Sequence, residues 1–191
     1  IGLGNEFNNN FFEEFIDEIL KSGIKIIYVH ARNAILNGIS PKANRSVPPL
    51  NYKFLLKIKK KYPEIYFVLN GGIDSLEKAR LMANIHDGVM IGRLIQNNPF
   101  ILRYVDSIFF DEKNNLKIDE NIIVEYFNYI RPKLNKDSIF RLLSPILQVF
   151  FGVPKSKSYK LKIHENLKNQ NIDYIENLLI NFIKNKELVV N

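Results

Sequence analysis

The spacing of apolar and polar positions changes period several times along this chain. From Phe11 to Leu20 the string FFEEFIDEIL puts apolar side chains at 12, 15, 16, 19 and 20, which is one face of a helix. Ser22-Gly23 stops it. Ile24 to Val29 (IKIIYV) is short and nearly continuous in apolar character, the pattern of a buried parallel strand. A polar loop then runs from Ala31 to about Pro49. Asn51 to Lys61 reads as a helix with Tyr52, Leu55, Leu56 and Ile58 inward, and Pro63 breaks it. Ile65 to Leu69 (IYFVL) is a second buried strand, ending at Asn70-Gly71-Gly72. Asp74 or Ser75 caps a helix reaching about Ala83. Gly88 to Ile91 (GVMI) is a third short strand, closed by Gly92-Arg93.

Strands alternating with helices, each strand followed by a polar loop, imply parallel strands and right-handed crossovers. No strand pattern follows Pro99. Helices are expected at roughly 100–110, 119–133, 138–151, 156–169 and 171–186. The shift at Gln96-Asn97-Asn98-Pro99 places a boundary, giving domains 1–97 and 98–191. Three parallel strands cannot close a core alone. They fit either the last strands of an eight-stranded barrel or half of an open sheet.

Composition narrows the partners. The chain has 191 residues, a net charge of +7 and no cysteine. A positive balance favours polyanions such as RNA. The excess is spread along the chain, with 13 basic and 9 acidic groups in 1–96 and 14 and 11 in 97–191, so a binding surface must be assembled by folding. Without cysteine there is no disulfide, thiolate metal site or thiol acid. No metal site is expected. No apolar run is long enough to cross a membrane. The first residues lack a signal-peptide pattern, and a cytoplasmic setting is expected.

Candidate chemistry gathers at the strand ends. Asn70, Gly71 and Gly72 close one strand, and Gly92 and Arg93 close the next. Glycines there let backbone N–H groups approach a phosphate, and an arginine grips its oxygens. Two adjacent strand ends of this kind match the phosphate cup of many barrels. His30 and Arg32 end the first strand and point to the same edge, where His30 suits a cofactor's polar rim or phosphate. The loop from Asn33 to Leu50 is far longer than usual β-to-α connections, and Lys42 and Arg45 on it suit a phosphate backbone. Lys155, Lys157, Lys160 and Lys162 form a second basic cluster.

The stretch from Val29 to Leu50, VHARNAILNGISPKANRSVPPL, closely resembles the tRNA-dihydrouridine synthases of the A-type bacterial branch. That family's version runs roughly H-A-R-x-A-x-L-x-G-L-S-P-K-x-N-R-x-I-P-P-L. The likeness continues through Asn70-Gly71-Gly72-Ile73 and Asp87 to Arg93. It is looser at Gln96-Asn97-Asn98-Pro99 and at Phe150-Phe151-Gly152-Val153-Pro154.

The resemblance implies an α/β fold, the last three β/α units of a TIM barrel followed by an all-α helical domain that helps hold tRNA. It implies an oxidoreductase that reduces the C5=C6 bond of uridine in tRNA, with FMN as cofactor and NADPH as reductant. The uridine leaves its stack to reach the flavin. By the same likeness His30, Asn70, Gly71, Gly72, Gly92 and Arg93 bind the cofactor. Arg32 lies on the substrate side, and Lys42, Arg45, Lys155, Lys157 and Lys160 are candidates for tRNA contact. The family's proton-donating cysteine, a flavin-contacting lysine and five strands are expected upstream of Ile1-Gly2. Loss of a positioned proton donor costs ~10²–10⁴-fold in rate, so this chain is expected to be inactive alone. Two other readings compete, a catalytically incomplete RNA-binding module and another FMN- or phosphate-binding barrel.

Overall fold

The pattern of alternating elements folds as the hydrophobic periods dictate. In chain order these are α1 (Asn9–Leu20), β1 (Ile26–His30), α2 (Pro41–Asn44), α3 (Tyr52–Lys61), β2 (Tyr66–Asn70), α4 (Leu76–Ala83), β3 (Gly88–Met90) and α5 (Arg93–Asn97). The structure is a computed structural model that describes residues 9–113, 120–150, 153–154 and 156–187. It divides into two compact units, Ile1–Leu94 and Ile95–Asn191, so the division falls inside α5, ahead of the expected boundary at 97.

In the first unit the three strands lie side by side in the order β1-β2-β3, all parallel. Register pairs His30 with Asn70 and Asn70 with Met90, so the three carboxy ends are level. Each crossover helix is delimited by its own residues. Gly23, at φ +79°, ends α1. Asn51 accepts from the Phe54 N–H at 3.1 Å to start α3. Ser75, rather than Asp74, starts α4 by accepting from Lys78 N at 3.1 Å. Asp87 accepts from Phe67 N at 2.8 Å and pairs with Lys59 at 3.1 Å, tying α3 to the start of β2.

The two faces of this sheet differ. Phe12 and Ile16 of α1, Leu55 and Ile58 of α3 and Ala79 of α4 are buried with Val29, Phe67 and Leu69 of the strands. The alternate strand positions face the other way. Ile26, Tyr28, Tyr66 and Met90 are 55%, 60%, 57% and 42% exposed. The continuous apolar strings therefore do not mean burial on both sides here. All three helices of this layer cover the same face, and the side chains of a strand alternate between faces.

The second unit is helical: α6 (Val105–Phe109), α7 (Asn121–Ile130), α8 (Ile139–Leu143), α9 (Lys157–Lys168) and α10 (Ile172–Glu187), with 3-10 turns at Pro99–Tyr104, Arg131–Lys133 and Ile146–Phe150. Ile123, Phe127 and Ile130 of α7 share a core with Leu143, Ile163, Leu179 and Phe182. Phe182 packs on Phe150 and Tyr159, with ring centroids 4.4 and 4.9 Å away. The expected helix over 138–151 is broken in two. Pro145 cannot donate a helical hydrogen bond, and its ring crowds the carbonyl one turn earlier, so α8 stops at Leu143. Pro132 likewise marks where α7 gives way to a 3-10 turn. The Phe151-Gly152 step and Lys155 lie outside the described residues.

Candidate phosphate-binding site

His30, Asn70 and Met90 stand level at the end of the sheet, on the face that carries the exposed row. The Asn70 amide hydrogen-bonds the imidazole and lies 3.4 Å from the Met90 sulfur. Burial lowers the His30 pKa below its ordinary 6.5, and the positive charge of Arg32 lowers it further; the bond to Asn70 opposes both. The imidazole is thus held neutral near pH 7, able to donate from one nitrogen and accept at the other.

The glycine turn sits against this histidine. Gly71 has φ +105° and Gly72 φ +69°, values that side chains rarely adopt. A Cβ at Gly71 would lie 3.0 Å from the imidazole Cε1, and one at Gly72 would lie 2.3 Å from the Leu50 Cδ1. Both positions are glycine for reasons internal to the chain. Gly92 is different. Its φ is not positive, and a Cβ there would meet nothing within 4 Å. Neither backbone strain nor packing among the described residues demands glycine there.

The loop from Asn33 to Leu50 is ordered by three side chains. Asn44 accepts from Ile35 N at 2.8 Å and donates to Ile35 O at 2.6 Å. Arg32 donates through Nη1 to the carbonyls of Ser46 (3.2 Å) and Pro48. Arg93 donates through Nη2 to the Arg45 carbonyl at 3.0 Å. Within the expected polar loop Ser40 caps a short helix, accepting from Ala43 N at 3.2 Å, with Pro41 at its first turn. Lys42 on that helix and the neighbouring Arg45 are exposed.

Of the candidate residues, the structure brings His30, Asn70, Gly71 and Gly72 together and ties Arg93 to the loop. The guanidinium of Arg32 is turned to the loop's own carbonyls. The lysines of α9 diverge. Lys157 and Lys160, three apart, share a side, and Lys160 borders an apolar groove with Phe140 and His164. Lys162 borders a polar groove with Tyr159, Asn181 and Asn185. Lys160 and Lys162 thus lie on different sides of α9. Two residues beneath the turn escaped the sequence reading. Leu50 packs on both glycines, and the Tyr52 hydroxyl donates to the Gly71 carbonyl at 2.7 Å. Tyr52 had been visible only as an inward helix position, because the partner is a backbone atom 19 residues away.

These residues fit an anionic group. Backbone without Cβ atoms at Gly71, Gly72 and Gly92, a nearby guanidinium and a neutral imidazole suit the phosphate and polar edge of a flavin mononucleotide. Among the described residues, no three His, Asp or Glu side chains gather as metal ligands, and no helix is long and apolar enough to cross a membrane.

Comparison with known proteins shows the family. The family profile described as Dihydrouridine synthase (Dus) matches residues 2–187. The tRNA-dihydrouridine(20/20a) synthase of Vibrio cholerae is 34% identical over 87% of this chain and 51% of its own length. That of Shewanella oneidensis is 32% identical over 87% and 50%, and that of Pasteurella multocida 34% over 87% and 51%. The chain spans about half the length of the curated relatives it matches. Because the profile covers nearly every residue, from the glycine turn to the helices beyond it, this chain belongs to the dihydrouridine synthase family.

Proposed function

We propose that this chain is the cofactor-phosphate portion and helical portion of a flavin-dependent tRNA-dihydrouridine synthase. Residues 1–97 supply the last three β/α units of a TIM barrel, and 98–191 a helical domain for tRNA. The observation that carries the reading is Gly92, a glycine that neither φ nor packing requires, beside Arg93 and one strand from the Gly71-Gly72 turn. Gly71, Gly72, Gly92 and Arg93 would hold the phosphate of FMN, with His30 and Asn70 at its polar edge. When bound and reduced by NADPH, the flavin would supply the hydride for C6 of uridine. The family's proton donor for C5 is a cysteine, and this chain holds none. The neutral imidazole of His30 keeps a second positive charge away from Arg93 and offers a hydrogen bond in its place. Arg32 and Asn44 set the loop that carries Lys42 and Arg45 toward the tRNA backbone. On α9 the exposed Lys157 and Lys160 serve the same polyanion, and Lys155 belongs to the same proposal by sequence alone.

The test is flavin titration of the purified chain, with riboflavin as the control that lacks phosphate. FMN is expected to bind, and Gly92→Ala and Arg93→Ala each to weaken it about tenfold or more, the worth of one charge-assisted contact. Riboflavin affinity should not change. Equal FMN binding by the wild type and both variants overturns the assignment.

A further inference from the structure

We infer that Tyr52 is a positioning residue for the Gly71-Gly72 turn, whose hydroxyl, by holding the Gly71 carbonyl, keeps the Gly72 N–H turned outward as an anion donor. This rests on the reading of the turn as the flavin-phosphate cradle.

The argument begins with the peptide plane. In a trans peptide the C=O and the following N–H point in opposite directions. Holding the Gly71 oxygen on the Tyr52 hydroxyl at 2.7 Å therefore aims the Gly72 N–H away from α3. Two consecutive glycines at φ +105° and +69° carry no Cβ to resist rotation of the plane between them. A rotation by half a turn would exchange donor for acceptor and present a carbonyl oxygen to an anion. Such a turn needs a lock, and the lock must be a donor, since a carbonyl only accepts.

Tyr52 is built to be that donor. It is the first residue of α3, set by the Asn51 cap at 3.1 Å. Its ring meets the His86 ring edge-on at 6.5 Å, a contact that helps hold its orientation. Burial raises its pKa above the ordinary 10.0, so the proton stays on oxygen at every working pH. The fit is close, because a Cβ at Gly72 would lie only 2.9 Å from that oxygen. Glycine at 72 and tyrosine at 52 are one device.

The experiment compares wild type with Tyr52→Phe in the full chain by thermal midpoint, ¹⁵N relaxation dispersion, and titration with FMN and riboflavin. The expected results are a folded variant, new exchange broadening at Gly72 and Ile73, FMN binding weakened about threefold to tenfold, and riboflavin unaffected. Putting 4-aminophenylalanine at 52 restores a donor on the same ring and should restore the wild-type values; if Tyr52→Phe folds poorly, this variant decides alone. Unchanged dispersion at Gly72, unchanged FMN affinity, or an equal loss for riboflavin overturns the inference. If wild type takes up no FMN, the cofactor reading falls, while the dispersion comparison still decides the lock.

Discussion

His30 shows how much one residue's surroundings settle. Its pKa and that of His86 are both lowered, in each case first by burial. The sign of the effect on stability follows. Below about 6.5 the unfolded chain takes up protons that the folded chain refuses, so stability falls as pH drops and levels off below the folded pKa values. Above 6.5 both states hold neutral imidazoles and the contribution is flat. Urea unfolding between pH 8 and pH 5 should show this loss, and His30→Gln should remove part of it. A loss of equal size in a His30→Gln, His86→Gln double variant would contradict the assignment. The residue types at 30, 71, 72 and 93 were legible in the sequence because each marks a strand end. The neutral state of His30 was not, since it depends on burial and on Arg32.

At the scale of elements, helix α9 corrects a simple reading of spacing. Four lysines within eight positions looked like one patch, yet 160 and 162 are about 200° apart around a helix with 3.6 residues per turn. Lys160 faces the groove with Phe140, and Lys162 the groove with Asn181 and Asn185. RNA lying on the Lys157–Lys160 side should feel those two charges and not the third. Lys157→Ala and Lys160→Ala should each reduce the slope of log affinity against log salt by about 0.7–0.9, as one phosphate contact does, and Lys162→Ala should leave it unchanged. Fluorescence anisotropy with tRNA over a salt series measures it; equal slopes for all three variants would refute the sidedness. The helix itself was legible to within a residue or so at each end. The broken stretch over 138–151 was read as one helix, because the weight given to apolar period hid the effect of Pro145.

The whole molecule carries an open sheet. Ile26, Tyr28, Tyr66 and Met90 present an apolar row, and β1 and β3 are both edge strands of the three-stranded sheet. Apolar faces and unpaired edges drive association. The 191-residue chain should therefore self-associate with rising concentration. Ile26→Lys with Tyr66→Lys should shift it toward monomer without lowering its thermal midpoint, since both side chains are already exposed. Light scattering after size-exclusion chromatography tests this, and a monomer at every concentration would refute it. The long strand-to-helix loop, the glycine turn and Gly92-Arg93 all lie at the carboxy edge of this sheet, so the register that levels the strand ends assembles the site.

By itself the sequence determined the three strands and the main helices between them, the parallel sense of the strands and the residue types at their ends. These follow from local periods, caps and chirality, which act over a few residues. Tertiary structure alone decided which face of the sheet the helices cover and that Arg93 and Arg32 hold the loop. It also decided that packing and φ within the chain demand glycine at 72 and not at 92, and that Tyr52 grips the turn. Those facts depend on contacts between residues 14 to 48 apart in the chain, and no local pattern encodes where such partners meet.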